Sequence, residues 1–158
     1  MQTLPWKVVW ITGASTGIGR EIALQLAGQG VTVAASARSA DKLASLGPNI
    51  RPYPLDVTDR QAITTTLEKI EQDLGEIDLA IMAAGTYSPL DVEKFDPPLF
   101  EAAMTTNYLG VVNCLSGLLP RMFRRRRGHV AWIASVAGFV GLPKAAAGAR
   151  RGGSRTAR

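Results

Sequence analysis

Short apolar segments rich in β-branched residues alternate with longer segments of helical periodicity along this chain. The short segments predict five strands, at residues 7–11, 31–35, 51–55, 77–83 and 129–134. Pro52 and Pro54 interrupt the third strand, which is expected at a sheet edge because proline cannot donate a hydrogen bond to a neighbouring strand. Helices between the strands indicate an α/β fold built on a doubly wound parallel sheet.

Apolar residues spaced three to four apart predict the helices that separate these strands. One helix lies between the first two strands. A second begins after a cap at Thr58 or Asp59 and ends before Gly75. A third is expected from about residue 98 to 126, with Pro120 either kinking it or marking its last turns.

The last part of the chain differs in composition from the rest. Residues 144–158 lack apolar periodicity and hold five of the 18 basic residues and none of the 13 acidic ones. We therefore expect one domain at 1–143, incomplete after the fifth strand, and a disordered basic tail at 144–158. The arginines at 124–127 are interpreted as a solvated helix end. Neither nucleic acid nor a membrane is predicted as a partner.

The remaining composition points to an ordinary globular protein. Cys114 is the single cysteine, which fits a reducing compartment. Neither a signal-peptide pattern nor an apolar run of about 18 residues is found, so a cytoplasmic location is predicted. His129 is interpreted as the first residue of the fifth strand, and no metal site is predicted.

A glycine-rich run, TGASTGIG at residues 12–19, joins the first strand to the first helix. Gly13 permits a positive φ in the tight turn, Gly17 lacks the Cβ that would hold the backbone away from a phosphate, and Gly19 lets the helix approach the sheet. Amides at a helix start have no intrahelical partner and can bind an anion. The run predicts a dinucleotide site, with binding residues Gly13, Ser15, Thr16, Gly17, Ile18 and Gly19.

Arg38 stands at the end of the second strand, where an acidic residue would bind the adenosine ribose of NAD. A guanidinium at this place can accept a 2′-phosphate through charge-assisted hydrogen bonds. NADP is therefore the predicted cofactor and NAD the alternative. A solvated turn arginine is the other interpretation of this residue.

Several separated motifs resemble the short-chain dehydrogenase/reductase family over residues 5 to about 147. The glycine run is similar to the family's TGxxxGxG turn. Asp56 and Val57 resemble the pair that contacts adenine. Ala84 and Gly85 resemble the end of the family's NNAG motif after the fourth strand, and Met82 and Ala83 replace its two asparagines. The resemblance implies that Ala83, Ala84 and Gly85 bind the cofactor.

The resemblance also implies two catalytic residues. Asn107 resembles a helical asparagine that helps to hold a proton-relay water. Ser135 resembles the serine that polarises a substrate carbonyl, which would make it an electrostatic stabiliser and not a nucleophile. The implied activity is hydride transfer between a nicotinamide cofactor and a small-molecule alcohol or carbonyl substrate. Tyr87 and the loop at 88–98 either line the substrate cleft or form surface structure.

The family's proton donor is not found in this sequence. The family has a Tyr about 13 residues after its serine and a Lys four residues later, where this chain has Gly148 and Gly152. That Lys lowers the phenol pKa, which is about 10 when unperturbed. Little or no turnover is therefore expected. A frameshifted or prematurely ended reading frame is one hypothesis for the missing Tyr and Lys. The alternatives are a catalytically inactive NADP-binding module and an incompletely folded fragment. Relatives form homo-oligomers through the Tyr-bearing helix, which this sequence does not supply.

Overall fold

A computed structural model describes residues 4–87 and 95–136 of the chain. Its sheet has five strands in the order β3-β2-β1-β4-β5, and every neighbouring pair is parallel. The strands are β1 (Val8–Thr12), β2 (Thr32–Ala37), β3 (Ile50–Pro54), β4 (Leu79–Met82) and β5 (His129–Trp132). This arrangement confirms the predicted doubly wound α/β fold and places the proline-containing β3 at an edge.

The helices lie on both faces of this sheet. They are α1 (Gly17–Gly28), α2 (Ala40–Ala44), α3 (Arg60–Leu74), α4 (Pro97–Met104) and α5 (Gly110–Arg125). A π-helical segment, Thr105–Leu109, joins α4 to α5, so the predicted long helix is continuous but contains a wider turn. Pro120 lies within α5, which continues for five residues beyond it. The sequence did not predict α2, which has five residues and buries only Leu43.

Side chains of β1 alternate between two cores, as a strand buried on both faces requires. Trp10 points into one core with residues of α3 and α5, among them Leu67 and Leu118. Val9 and Ile11 point into the other core, which α1 and α2 cover. Because β1 is central, its carboxyl end and the glycine turn that follows are held by both layers of helices.

The ends of α3 and α5 decide two points of the sequence analysis: which residue caps α3, and whether the arginines at 124–127 are solvated. Asp59 is the N-cap of α3, accepting from the Ala62 amide at 2.9 Å, whereas Thr58 turns its hydroxyl to Asp56 instead. The interpretation of 124–127 as solvated is wrong for Arg125, whose side chain is 11% exposed. Arg125 pairs with Glu71 of α3 at 3.0 Å, and this ion pair joins the ends of the two helices.

Strand β5 begins at His129, as predicted, and is the second edge of the sheet within the described residues. Trp6 lies beside it and donates from Nε1 to His129 Nδ1 at 3.4 Å. None of the helices in the described ranges has the length and apolar character needed to cross a bilayer. The predicted tail at 144–158 and the boundary at 143 fall outside the described residues.

Candidate functional site

The carboxyl ends of the strands open into one cleft of about 380 Å³. This is where ligands bind in open parallel sheets, beside the point at which the strand order reverses. All twelve residues predicted to bind a cofactor line this cleft: Gly13, Ser15, Thr16, Gly17, Ile18, Gly19, Arg38, Asp56, Val57, Ala83, Ala84 and Gly85. Their binding of a cofactor stays a prediction. Other lining residues that the sequence did not single out are Ala37, Ser39, Leu55, Thr86, Thr106 and Ile133.

Two glycines of the turn are required by close backbone packing. Gly13 has φ of 71°, and a Cβ there would stand 2.6 Å from the backbone of Ala84. A Cβ on Gly19 would stand 2.4 Å from the carbonyl oxygen of Gly13. No side chain fits at either distance, so the turn, the start of α1 and the end of β4 form one tightly packed unit.

Gly17 differs from these two because the space beside it is open. Its φ is 58°, and no heavy atom lies within 4 Å of the position that a Cβ would take. Helix α1 begins at this residue, and its N-cap Thr16 makes no side-chain hydrogen bond to the first turn. The first amides of α1 therefore lack intrahelical partners while they face the cleft. A diphosphate fits such a cradle, because it needs amide donors and close backbone approach.

Thr12 holds the end of β4 where the sequence lacks the family's asparagines. Its buried Oγ1 accepts hydrogen bonds from the amides of Ala83 and Ala84, both at 3.2 Å. The hydroxyl also lies 3.9 Å from Met82 Sδ. The strand end that borders the cleft is thus fixed to β1 by the side chain of Thr12 and by its carbonyl, which accepts from the Ala83 amide at 3.2 Å.

Asn107 holds the other side of the same segment. Its side chain is 4% exposed and lies in the π-helical segment. Its Oδ1 accepts from the Thr86 amide at 2.7 Å, and its Nδ2 donates to the Thr86 carbonyl at 2.9 Å. The side chain does not line the cleft but positions a residue that does. The relay role implied by the resemblance stays a prediction.

Asn113 has a comparable role that the sequence analysis missed. Its Nδ2 donates to the Val57 carbonyl at 3.2 Å, and its Oδ1 accepts from Arg60 Nε at 2.8 Å. It therefore fixes the segment after β3 just as Asn107 fixes the segment after β4. The available signal was a polar residue in the otherwise apolar start of α5.

Arg38 and Asp56 follow the ends of two neighbouring strands. The Leu55 amide donates to the Ala37 carbonyl at 3.0 Å, which aligns these two ends. Asp56 Oδ1 accepts from the Thr58 amide at 2.9 Å and from its hydroxyl at 2.8 Å. The backbone hydrogen bond from Thr58, helped by its hydroxyl and by the charge of Arg38, holds the pKa of Asp56 below its usual value. Asp56 is therefore an anion at neutral pH.

Comparison with known proteins identifies the family. The family model described as "short chain dehydrogenase" matches residues 7–149. The chain belongs to the short-chain dehydrogenase family. This family consists of oxidoreductases that use nicotinamide cofactors.

Individual relatives agree with this assignment. The chain is 33% identical over 149 residues to an uncharacterized oxidoreductase of Myxococcus xanthus, covering 90% of this chain and 59% of that protein. It is 34% identical to a 3-oxoacyl-[acyl-carrier-protein] reductase of Thermotoga maritima, covering 89% of this chain and 60% of the relative. The chain thus spans about three-fifths of the length of these curated relatives.

Solved structures show the same fold. An actinorhodin polyketide ketoreductase crystallised with NADPH superimposes with a TM-score of 0.85 at 26% identity, covering 92% of this chain and 59% of that one. A serine dehydrogenase from Escherichia coli gives a TM-score of 0.84 at 29% identity, with 91% and 69% covered.

The residues that the resemblance implies for catalysis lie outside the lining of the cleft or outside the described part of the chain. Ser135 follows the end of β5 and is half-buried, but Ile133, not Ser135, lines the cleft. Tyr87 is exposed directly after Thr86. Gly148, Gly152 and the loop at 88–94 lie outside the described residues.

Proposed function

We propose that the cleft binds NADP(H) and that the chain belongs to an oxidoreductase that transfers a hydride between nicotinamide and an alcohol or carbonyl substrate. The observation that carries this proposal is the cradle at Gly17, where uncapped helix amides border open space. The family assignment supplies the reaction class. When bound, the nicotinamide supplies the hydride, and the protein contributes orientation and electrostatics.

Each group of lining residues has a role in this proposal. The first amides of α1 hold the diphosphate, and Arg38 receives the 2′-phosphate. Asp56 and Val57 border the adenine. The segment 83–86, fixed by Thr12 and Asn107, forms the floor on the side of β4. Ser135, which follows β5 and is not part of the cleft lining, is proposed to orient the substrate carbonyl.

A preference for NADP over NAD rests on charge. Arg38 is the only cation among the described residues that line the cleft. Its neighbours Ala37 and Ser39 offer no carboxylate to a ribose 2′-hydroxyl. A 2′-phosphate is favoured beside such a guanidinium, whereas NAD carries no phosphate at that position for Arg38 to bind.

We further propose that this chain by itself binds the coenzyme without turning it over. The positions at which the family carries its Tyr and Lys are Gly148 and Gly152, and no Tyr in the sequence has Lys four residues later. Without the Tyr at that position, the sequence lacks the group that exchanges a proton with the substrate oxygen in the family. A nucleotide-binding module without catalysis is therefore the second candidate function. An incubation of pure protein with NADPH and a panel of carbonyls tests the proposed absence of turnover. Steady NADPH oxidation would contradict the absence of turnover.

Gly17→Ala tests the cleft, with Gly30→Ala as its matched control. Both glycines have positive φ, 58° and 85°, and neither has an atom within 4 Å of a new Cβ. Both variants therefore carry a similar backbone strain of about 1–2 kcal/mol. Only Gly17 lines the cleft.

NADPH affinity is measured by fluorescence titration of the wild type and both variants. We expect Gly17→Ala to weaken binding by about tenfold or more, equivalent to about 1.4 kcal/mol, and Gly30→Ala to stay within about twofold of wild type. The Tm should fall by similar amounts in the two variants. Equal NADPH affinity in all three proteins would refute the proposed site.

A further inference from the structure

Asp56 places a negative charge close to the place proposed for the 2′-phosphate. Strands β2 and β3 pair in parallel with Ala37 opposite Pro54, so Arg38 and Leu55 follow on adjacent strand ends. Asp56 is the next residue, and both charged side chains line the same cleft. Among the described lining residues Arg38 is the one cation and Asp56 the one anion.

The two charges act on each other without forming a contact. No ion pair within 4 Å joins Arg38 to Asp56. The Asp56 carboxylate is held instead by Thr58, through the hydrogen bonds to its Oδ1. Arg38 is therefore not neutralised by Asp56, and the field of the carboxylate extends into the cleft, where it lowers the attraction that Arg38 exerts on an anion.

We propose that Asp56 is a specificity-determining residue that opposes Arg38 and limits the preference for a 2′-phosphorylated coenzyme. A phosphate monoester carries about 1.5 to 2 negative charges at pH 7 and is repelled by the carboxylate. A ribose 2′-hydroxyl carries no charge and is not repelled. The inference rests on the proposed binding of the 2′-phosphate by Arg38.

The opposite expectation follows if Asp56 acts mainly by holding Arg38 in place. Removal of the carboxylate would then release the guanidinium, and the phosphorylated coenzyme would bind more weakly. The absence of an ion pair between the two side chains argues for repulsion of the phosphate as the dominant effect. The sign of the change therefore decides between the two roles.

Asp56→Asn is the variant that isolates the charge. An asparagine Oδ1 can still accept both hydrogen bonds from Thr58, so the turn after β3 is retained. Dissociation constants for NADPH and NADH are measured by calorimetry at pH 7.5 and low salt. Any effect on adenine binding is common to both coenzymes and cancels in the ratio Kd(NADH)/Kd(NADPH). We expect this ratio to rise about fivefold, and the gain to shrink at about 0.5 M salt.

Two further variants make the result specific. Asp41→Asn changes the net charge equally on the exposed face of α2, outside the cleft lining, and should leave the ratio within about twofold. Arg38→Gln should lower the ratio. If Arg38→Gln leaves the ratio unchanged, the proposed phosphate site itself is wrong.

If Arg38→Gln lowers the ratio while Asp56→Asn leaves it unchanged or lowers it, the site stands and the role of Asp56 is overturned. An equal rise for Asp41→Asn would also overturn it.

Discussion

Replacing Asn107 with leucine is expected to destabilise the end of β4. The substitution removes two short hydrogen bonds to the backbone of Thr86, at 2.7 and 2.9 Å. Each such bond contributes about 0.5–1.5 kcal/mol net. Because Thr86 is exposed, its backbone can be rehydrated once the asparagine is gone, and the larger penalty of a buried orphan group does not apply. The structure therefore predicts a loss of about 2 kcal/mol in the free energy of unfolding.

Urea denaturation followed by circular dichroism measures this loss. For a chain of this size about 2 kcal/mol corresponds to a fall of about 4–8 °C in Tm, which a parallel thermal melt can confirm. Asn49→Leu is the matched control, because Asn49 is exposed and its side-chain hydrogen bond, to the Ala27 carbonyl, is long at 3.5 Å. The control should stay within about 0.5 kcal/mol of wild type.

The same variant has a second expected effect, on NADPH binding. Thr86 lines the cleft, so loosening it should raise the dissociation constant for NADPH. If Asn107→Leu unfolds at the same urea concentration as Asn49→Leu, with an unchanged m-value, the asparagine does not fix the strand end and the reasoning fails.

Two further predictions concern groups whose pKa is raised by burial. Burial, reinforced by the hydrogen bond to Asp73, raises the pKa of Tyr53 to about 12. Since an unfolded tyrosine titrates near 10, the neutral Tyr53 stabilises the folded protein below about pH 10, and this stabilisation is lost between about pH 10 and 12. Urea midpoints at pH 9 and 11 should therefore differ less for Tyr53→Phe than for wild type, and equal losses would contradict this. Burial also raises the pKa of the Cys114 thiol to about 12. A disulfide reagent at pH 8 should label it only after urea is added, and rapid labelling of native protein would contradict the buried position.

The sequence predicted the fold class well because each strand and the longer helices carry local signals. Pro52 and Pro54 cannot donate to a second neighbour, which indicated the edge position of β3 that the structure confirms. Gly75, which follows α3 directly, marked the end of that helix. Helix α2 escaped prediction because five residues with a single buried leucine carry no period to detect.

The residues that line the cleft could be predicted from the glycine run and the strand ends, whereas the contacts that hold them in place could not. The glycine run carries its function in consecutive residues, so its turn and close packing could be derived from sequence. The contact from Asn113 to Val57 spans 56 residues, and that from Thr12 to Ala84 spans 72. Such pairings depend on how the helices and strands pack, and no pattern along the chain specifies them. The burial of Arg125 against Glu71 has the same origin.

Met82 and Ala83, at the positions of the family's two asparagines, are closely packed at the end of β4. Met82, the last residue of β4, is fully buried. The Cβ of Ala83 lies 3.3 Å from the position that a Cβ on Gly19 would take. The amides of Ala83 and Ala84 donate to Thr12 Oγ1. Together with the hydrogen bonds between Asn107 and the backbone of Thr86, these contacts fix the β4 border of the cleft in a sequence that lacks both asparagines.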